Sequence, residues 1–136
     1  MAETHKIACG SAGQGLQEIT NQVLDIVAQS GLENGLCTLY IPHTSASLTI
    51  QENADPAVLR DLERWLNRLV PENDPLYEHT AEGPDDMPAH IKAALTSTSL
   101  SIPVMEGRLA LGTWQGIFLW EHRHARSDRQ ILIHLA

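Results

Sequence analysis

The sequence predicts an α+β fold. Segments whose apolar residues alternate or run together as in strands outnumber those with helical spacing. The two kinds do not take turns along the chain as they would in a parallel α/β sheet. With 136 residues and 43% hydrophobic composition the chain can build one core but not two, so residues 1–136 read as a single domain without internal repeats.

Residues 3–8 alternate polar and apolar side chains, which suits a half-buried first strand. Gly10, Gly13 and Gly15 then mark a connecting loop. It lacks the Gly-Lys-Ser/Thr ending of a P-loop, and its glycine spacing is not the dinucleotide fingerprint. Over residues 20–30, Val23, Ile26 and Val27 fall on one helical face, and Gly31 supplies the stop. Residues 35–42 read as a strand and residues 46–51 as the next, which leaves His43 at a bend or edge between them. Asp55 and Pro56 are the cap and first position of a second helix; Val58, Leu59, Leu62, Trp65, Leu66 and Leu69 give it a broad apolar face, and Pro71 ends it. Residues 72–87, rich in acids, Pro and Gly, read as an ordered functional loop. Pro88 opens a short helix that carries His90, with Ile91, Ala94 and Leu95 available for packing. Strands follow at 99–104, at 108–122 with an interruption around 112–116, and at 129–135. In an uninterrupted strand Trp114, Phe118 and Trp120 would share one face, either core or a subunit contact.

A formal net charge of −8 argues against a basic face for nucleic acid, because neutralising phosphates needs clustered Lys and Arg. Small molecules or protein partners are expected instead. No apolar run approaches the roughly 18 residues of a membrane span, and the first residues lack the basic flank and apolar stretch of a signal peptide, so no membrane and a cytoplasmic location are expected. Cys9 and Cys37 show no metal or disulfide spacing and read as small buried hydrophobes.

Seven histidines in so short a chain invite a search for a site, since imidazole is both a common metal ligand and a proton carrier near neutral pH. His5, His122, His124 and His134 read as ordinary surface or strand residues. His43 follows Pro42 and precedes Thr44, Ser45 and Ser47, whose hydroxyls can orient an imidazole or bind a substrate oxygen. The plainer reading is a strand-edge histidine in a Ser/Thr-rich turn. His79 and His90 flank an acidic run, Glu72, Asp74, Glu78, Glu82, Asp85 and Asp86, which has no nearby basic residue in sequence until Lys92. Such a run favours a cation, or is simply a solvated face. No standard metal motif is present, so a metal site must be assembled from distant segments: three imidazoles and a water would suit zinc, while Glu52 or Asp86 would favour a harder ion. A serine hydrolase using Ser45 or Ser47 lacks the G-x-S-x-G elbow.

At HTSASLTIQENADP (residues 43–56), EGPDDMPAHIKAALTSTSLSIPV (82–104) and EGRLALGTWQGIFLWEHR (106–123) the sequence resembles the YjbQ family, and the likeness runs from the first strand almost to the end. The resemblance implies an α+β pseudo-barrel of two packed sheets with several short helices, usually a homotrimer with a histidine cluster near a subunit interface that often holds a metal ion. It also implies a weak thiamine-phosphate synthase activity. The family's histidines fall on His43, His79 and His90, the expected ligands of a divalent ion, with zinc favoured. Glu52, Asp86 and Arg123 are the expected catalytic residues, and Thr44, Ser45, Asn53, Thr113 and Gln115 the expected substrate contacts. One departure stands out: family members often carry Asp after the histidine of the acidic segment, where this chain has Thr80.

Three functions compete. The first joins a pyrimidine diphosphate to a thiazole phosphate, and needs positive charge at the departing diphosphate from a divalent ion or from Arg108 or Arg123. The second is a metal-dependent hydrolase or phosphatase acting on a small phosphorylated substrate. The third is a non-catalytic metal-binding module with a closed coordination shell. A homotrimer is expected to bury apolar strand residues such as Ile117, Phe118 and Trp120 between subunits.

Overall fold

The computed structural model describes residues 2–136. Its elements are β1 (Glu3–Ser11), β2 (Gly15–Glu18), α1 (Thr20–Ser30), β3 (Gly35–Tyr40), β4 (Ala46–Glu52), α2 (Pro56–Leu69), α3 (Asp86–Leu95), β5 (Ser99–Met105), β6 (Arg108–Leu109), β7 (Gln115–Glu121) and β8 (Ser127–Leu135). They form one five-stranded sheet in the order β1-β8-β3-β5-β6 and one three-stranded sheet in the order β2-β7-β4. Every pairing is antiparallel. A bridge between Leu48 and Ser97 links the sheets, which curl as a half-barrel, so the α+β expectation holds.

The strand period explains the core. Along β8, Arg129, Ile131, Ile133 and Leu135 point inward and the residues between them do not. Ile133 pairs with Leu39 and Leu135 with Cys37, so two inward rows meet side by side. Ile117 and Leu119 of β7 enter the same core from the smaller sheet, and Val23 and Val27 of α1 close it. Gly31 ends α1 in the left-handed conformation (φ 73°), which glycine adopts without steric cost. Cys9 and Cys37 are free thiols inside this core, as their surroundings suggested.

β7 is buried on both faces because α2 covers its outer side. Leu66 and Val70 pack there on Trp120, with Leu16, Leu62 and Ile91 around them. Asp55 caps α2 by accepting from the Ala57 N–H at 2.9 Å. The broad apolar face expected of this helix is only partly used: Leu66 is buried, while Trp65 and Leu69 are each 53% exposed.

Several expectations need correction. The glycine-rich loop contains a strand, β2, which hydrogen-bonds to β7. The third helix begins at Asp86, two residues before Pro88; a proline in the first turn is tolerated because the N–H it lacks would have no partner within the helix. Ile117, Phe118 and Trp120 are buried within the chain itself and are not free for a subunit contact. Trp114 lies outside β7 and is exposed. No helix among the described residues is long and apolar enough to cross a membrane.

Candidate metal centre

The acidic loop and the start of α3 bring three potential ligands together. Asp86 and His90 stand four residues apart on one helix, hence on the same face, and His79 reaches them from the loop. Asp86 Oδ2 lies 2.6 Å from His79 Nε2 and 3.2 Å from His90 Nε2. Since an ionised carboxylate only accepts, both imidazoles donate to it. Asp86 is buried, whereas the side chains of His79 and His90 are 43% and 34% exposed, so the cluster opens to solvent on its histidine side.

Arg123, just beyond β7, fastens this corner. It donates to Asp85 Oδ2 at 3.0 Å, to Asp86 Oδ1 at 2.5 Å and to the Glu82 carbonyl at 2.9 Å. The acidic run is therefore not without a counterion, as the linear sequence suggested. Its basic partner, Arg123, arrives from the segment just beyond β7, and Glu72 pairs with His124. Burial alone would raise the pKa of Asp86; the hydrogen bond from His79 leads the opposing influences, with the Arg123 charge among them, and the result is a lowered pKa. The same Asp86 hydrogen bond raises the pKa of His79.

The donor set suits a metal ion. The three ligand atoms lie within 4.8 Å of one another. Ligands about 2.0–2.2 Å from zinc sit roughly 3.3 Å apart, so closing on an ion needs shifts on the order of an ångström. Two imidazoles and one carboxylate, with open positions, is a set that takes zinc or ferrous iron. Arg123 on the second oxygen of Asp86 holds that carboxylate in place, as outer hydrogen bonds do in metal sites. To hold an ion, both Nε2 atoms must give up the protons they now direct at Asp86.

The other expected site residues fall in two places. His43, Thr44 and Ser45 form the turn between β3 and β4, and His43 and Thr44 line a pocket of about 540 Å³ together with His90, Tyr40 and Thr98. His43 does not join the three-ligand cluster; its Nε2 accepts the Gln130 N–H at 3.0 Å. Ser45 Oγ accepts from Arg129 at 2.9 Å. Glu52, Asn53, Thr113 and Gln115 collect at the opposite end of β4, a strand of seven residues whose ends lie about 20 Å apart. There Glu52 accepts from the Asp55 N–H, Asn53 donates to Glu18, and Gln115 accepts from the Gly112 N–H while Thr113 is exposed in the same turn.

Sequence reasoning missed His122 and Arg129. His122 is 1% exposed, its ring tilted against Trp120. Burial leads the causes that push its pKa down to about 3, so the ring is neutral. Thr96 Oγ1 donates to the Lys92 carbonyl, which leaves it to accept from Ser47 Oγ at 2.5 Å; Ser47 Oγ in turn accepts from His122 Nε2 at 2.8 Å. This polarity is wrong for an activated serine, because the histidine gives a proton to the hydroxyl and does not take one. The alternation of β7 carries His122 onto the same side as Phe118 and Trp120, and that was the available signal. Arg129 is buried against Glu121, donating at 2.8 and 2.5 Å.

The family described as "UPF0047 protein YjbQ-like" matches residues 5–136. A UPF0047 protein of Synechocystis is 50% identical over 130 residues, covering 96% of this chain and 88% of that protein. The UPF0047 protein YjbQ of Escherichia coli O157:H7 is 46% identical over 127 residues, covering 93% and 91%. Among solved structures, a YbjQ-like protein of unknown function from Sulfolobus solfataricus superposes with a TM-score of 0.87 at 27% identity, covering 99% of this chain and 98% of that one. A conserved hypothetical protein of Thermus thermophilus gives 0.86 at 34% identity, covering 97% and 99%. On sequence and fold together, the chain belongs to the YjbQ-like UPF0047 family.

Proposed function

We propose that this protein is a metal-dependent enzyme for small phosphorylated substrates, with His79, Asp86 and His90 as ligands of one divalent ion, zinc favoured, and with a thiamine-phosphate synthase-like transfer as its reaction. The observation that carries the reading is Asp86: one carboxylate oxygen faces two imidazole nitrogens while the other is fixed by Arg123. When bound, the ion supplies positive charge to phosphate oxygens or lowers the pKa of a water. The chain's own residues would divide the rest of the work. Arg123 positions Asp86, and with three of its five N–H groups engaged by two carboxylates and a carbonyl it has only part of its fork left for a diphosphate, which makes the ion the stronger source of charge. The hydroxyl of Thr44 borders the pocket that His90 shares, where a phosphorylated molecule would sit, while Ser45 in the same turn is held by Arg129.

A second reading, simple phosphate-ester hydrolysis, draws on one observation. Within a single chain, Glu52, Asn53, Thr113 and Gln115 are too far from the cluster to hold a second substrate against it. Steady-state turnover of a pyrimidine diphosphate with a thiazole phosphate, run beside a panel of phosphate monoesters with zinc-loaded and chelator-treated protein, separates the readings. Metal-dependent synthase turnover is expected; turnover of monoesters alone moves the assignment to a hydrolase. No metal-dependent turnover of any substrate refutes the enzyme reading and leaves a binding module.

A further inference from the structure

β3 pairs with β8 from Cys37 to Tyr40, with Tyr40 opposite Leu132, and then leaves the sheet. Had the ladder continued, Pro42 would lie opposite Gln130. The chain instead turns away at Pro42, and the Gln130 N–H donates to the ring nitrogen Nε2 of His43 at 3.0 Å. A backbone N–H is always a donor, so Nε2 must present its lone pair. In a neutral imidazole the proton then belongs to Nδ1. A second tie holds the same turn, because Arg129 donates to both Oγ and the carbonyl of Ser45. Nδ1 has no hydrogen-bond partner among the described residues, and it is not among the buried atoms that lack one, so it is open to solvent. His43 borders the pocket that also contains His90, Thr44 and Thr98.

His79 and His90 differ from it in chemical sense. Their Nε2 atoms face a carboxylate, which an ion can share once their protons leave; His43 Nε2 faces a donor, which an ion cannot share. From this contrast, and resting on the phosphorylated-substrate reading above, we infer that His43 is not a third metal ligand but a fixed neutral donor whose Nδ1–H contacts a phosphate oxygen in the pocket. Burial and then the Arg129 charge lower the pKa of His43, in keeping with a neutral ring.

The test is His43→Gln, whose side-chain carbonyl can reach the Gln130 N–H while offering no donor at the Nδ1 position. Histidine ¹⁵N spectra, with the His43 signals assigned by their loss in the variant, should show the Nδ1–H tautomer before and after saturation with zinc. Zinc titration should give the same stoichiometry and affinity in parent and variant. Inorganic phosphate should bind the variant about ten- to a hundredfold more weakly, the usual effect of losing a hydrogen bond to a charged group. An Nε2–H tautomer, a His43 signal that becomes metal-bound on adding zinc, or phosphate affinity equal in parent and variant would overturn the inference. A parent that binds phosphate but no zinc, with the variant still weakened, supports the role of His43 while refuting the metal centre.

Discussion

Replacing Glu121 with Ala tests the buried support beneath the His43 turn. Glu121 is 1% exposed and accepts from Ser11 Oγ at 2.7 Å, from Arg129 at 2.8 and 2.5 Å, and from the backbone N–H groups of His122 and Arg123 at 3.0 and 3.1 Å. Without that carboxylate the Arg129 guanidinium, 7% exposed, keeps only Ser45 as a side-chain partner. Breaking a buried pair from one side costs about 3–5 kcal/mol, because the remaining charge stays desolvated. For a chain of this length that is a fall in Tm of about 10–20 °C. Urea and thermal unfolding measure it, and the double variant E121L/R129M should recover much of the loss, since removing both charges leaves none stranded. The sign with pH follows from the carboxyl itself. Burial would raise its pKa, but the hydrogen bonds from Arg129 and Ser11 prevail and hold it below 4.5. Its contribution is thus present above the unfolded value, near 4.5, and is lost as pH falls through the lower folded value. The parent should lose stability toward acid more steeply than E121A. A loss under about 1 kcal/mol in E121A, or parallel acid profiles, would show that the buried Arg129 does not depend on this carboxylate.

Gly116→Ala should destabilise by about 1–3 kcal/mol, because a Cβ there would come within 2.5 Å of Glu18 Oε2; in E18A the same change should cost distinctly less by urea unfolding. Ile133→Ala removes a fully buried side chain opposite Leu39 and should cost about 2–5 kcal/mol in the same assay, with no change in metal content. Light scattering at micromolar concentration should find the trimer that the family resemblance implies, its contacts drawn from exposed apolar residues such as Trp65, Leu69 and Trp114. A stable monomer would exclude it.

How far the sequence could be read depended on whether the cause of a feature was local. Asp55-Pro56 placed the start of α2 because a cap and a first-turn proline act within a few residues, and Gly31 ended α1 for the same reason. β2 escaped notice because it is four residues long and gains its order from hydrogen bonds to β7, a hundred residues away in the chain. His122 sits in a run, Glu-His-Arg-His-Ala-Arg, that reads as a polar surface; only α3 and β4 folding over it make it interior. The histidines on either side of the acidic loop were legible as a pair. Asp86 as their common partner required knowing that the helix begins at Asp86, which puts Asp86 and His90 on one face. The role of Arg123 as the loop's counterion depends on a contact across 37 positions of sequence, which no local pattern reports.

If His79, Asp86 and His90 hold one divalent ion, metal analysis of untagged protein prepared without chelators will show it. After equilibration with zinc and removal of the excess, the parent should carry one ion per chain. His79→Ala, His90→Ala and Asp86→Ala should each lose it while remaining folded, because losing one of three ligands removes a direct bond and loosens the other two. H43Q and H124A should retain it. Full zinc content in the three folded ligand variants, or none in the parent, would rule out a metal site built from His79, Asp86 and His90.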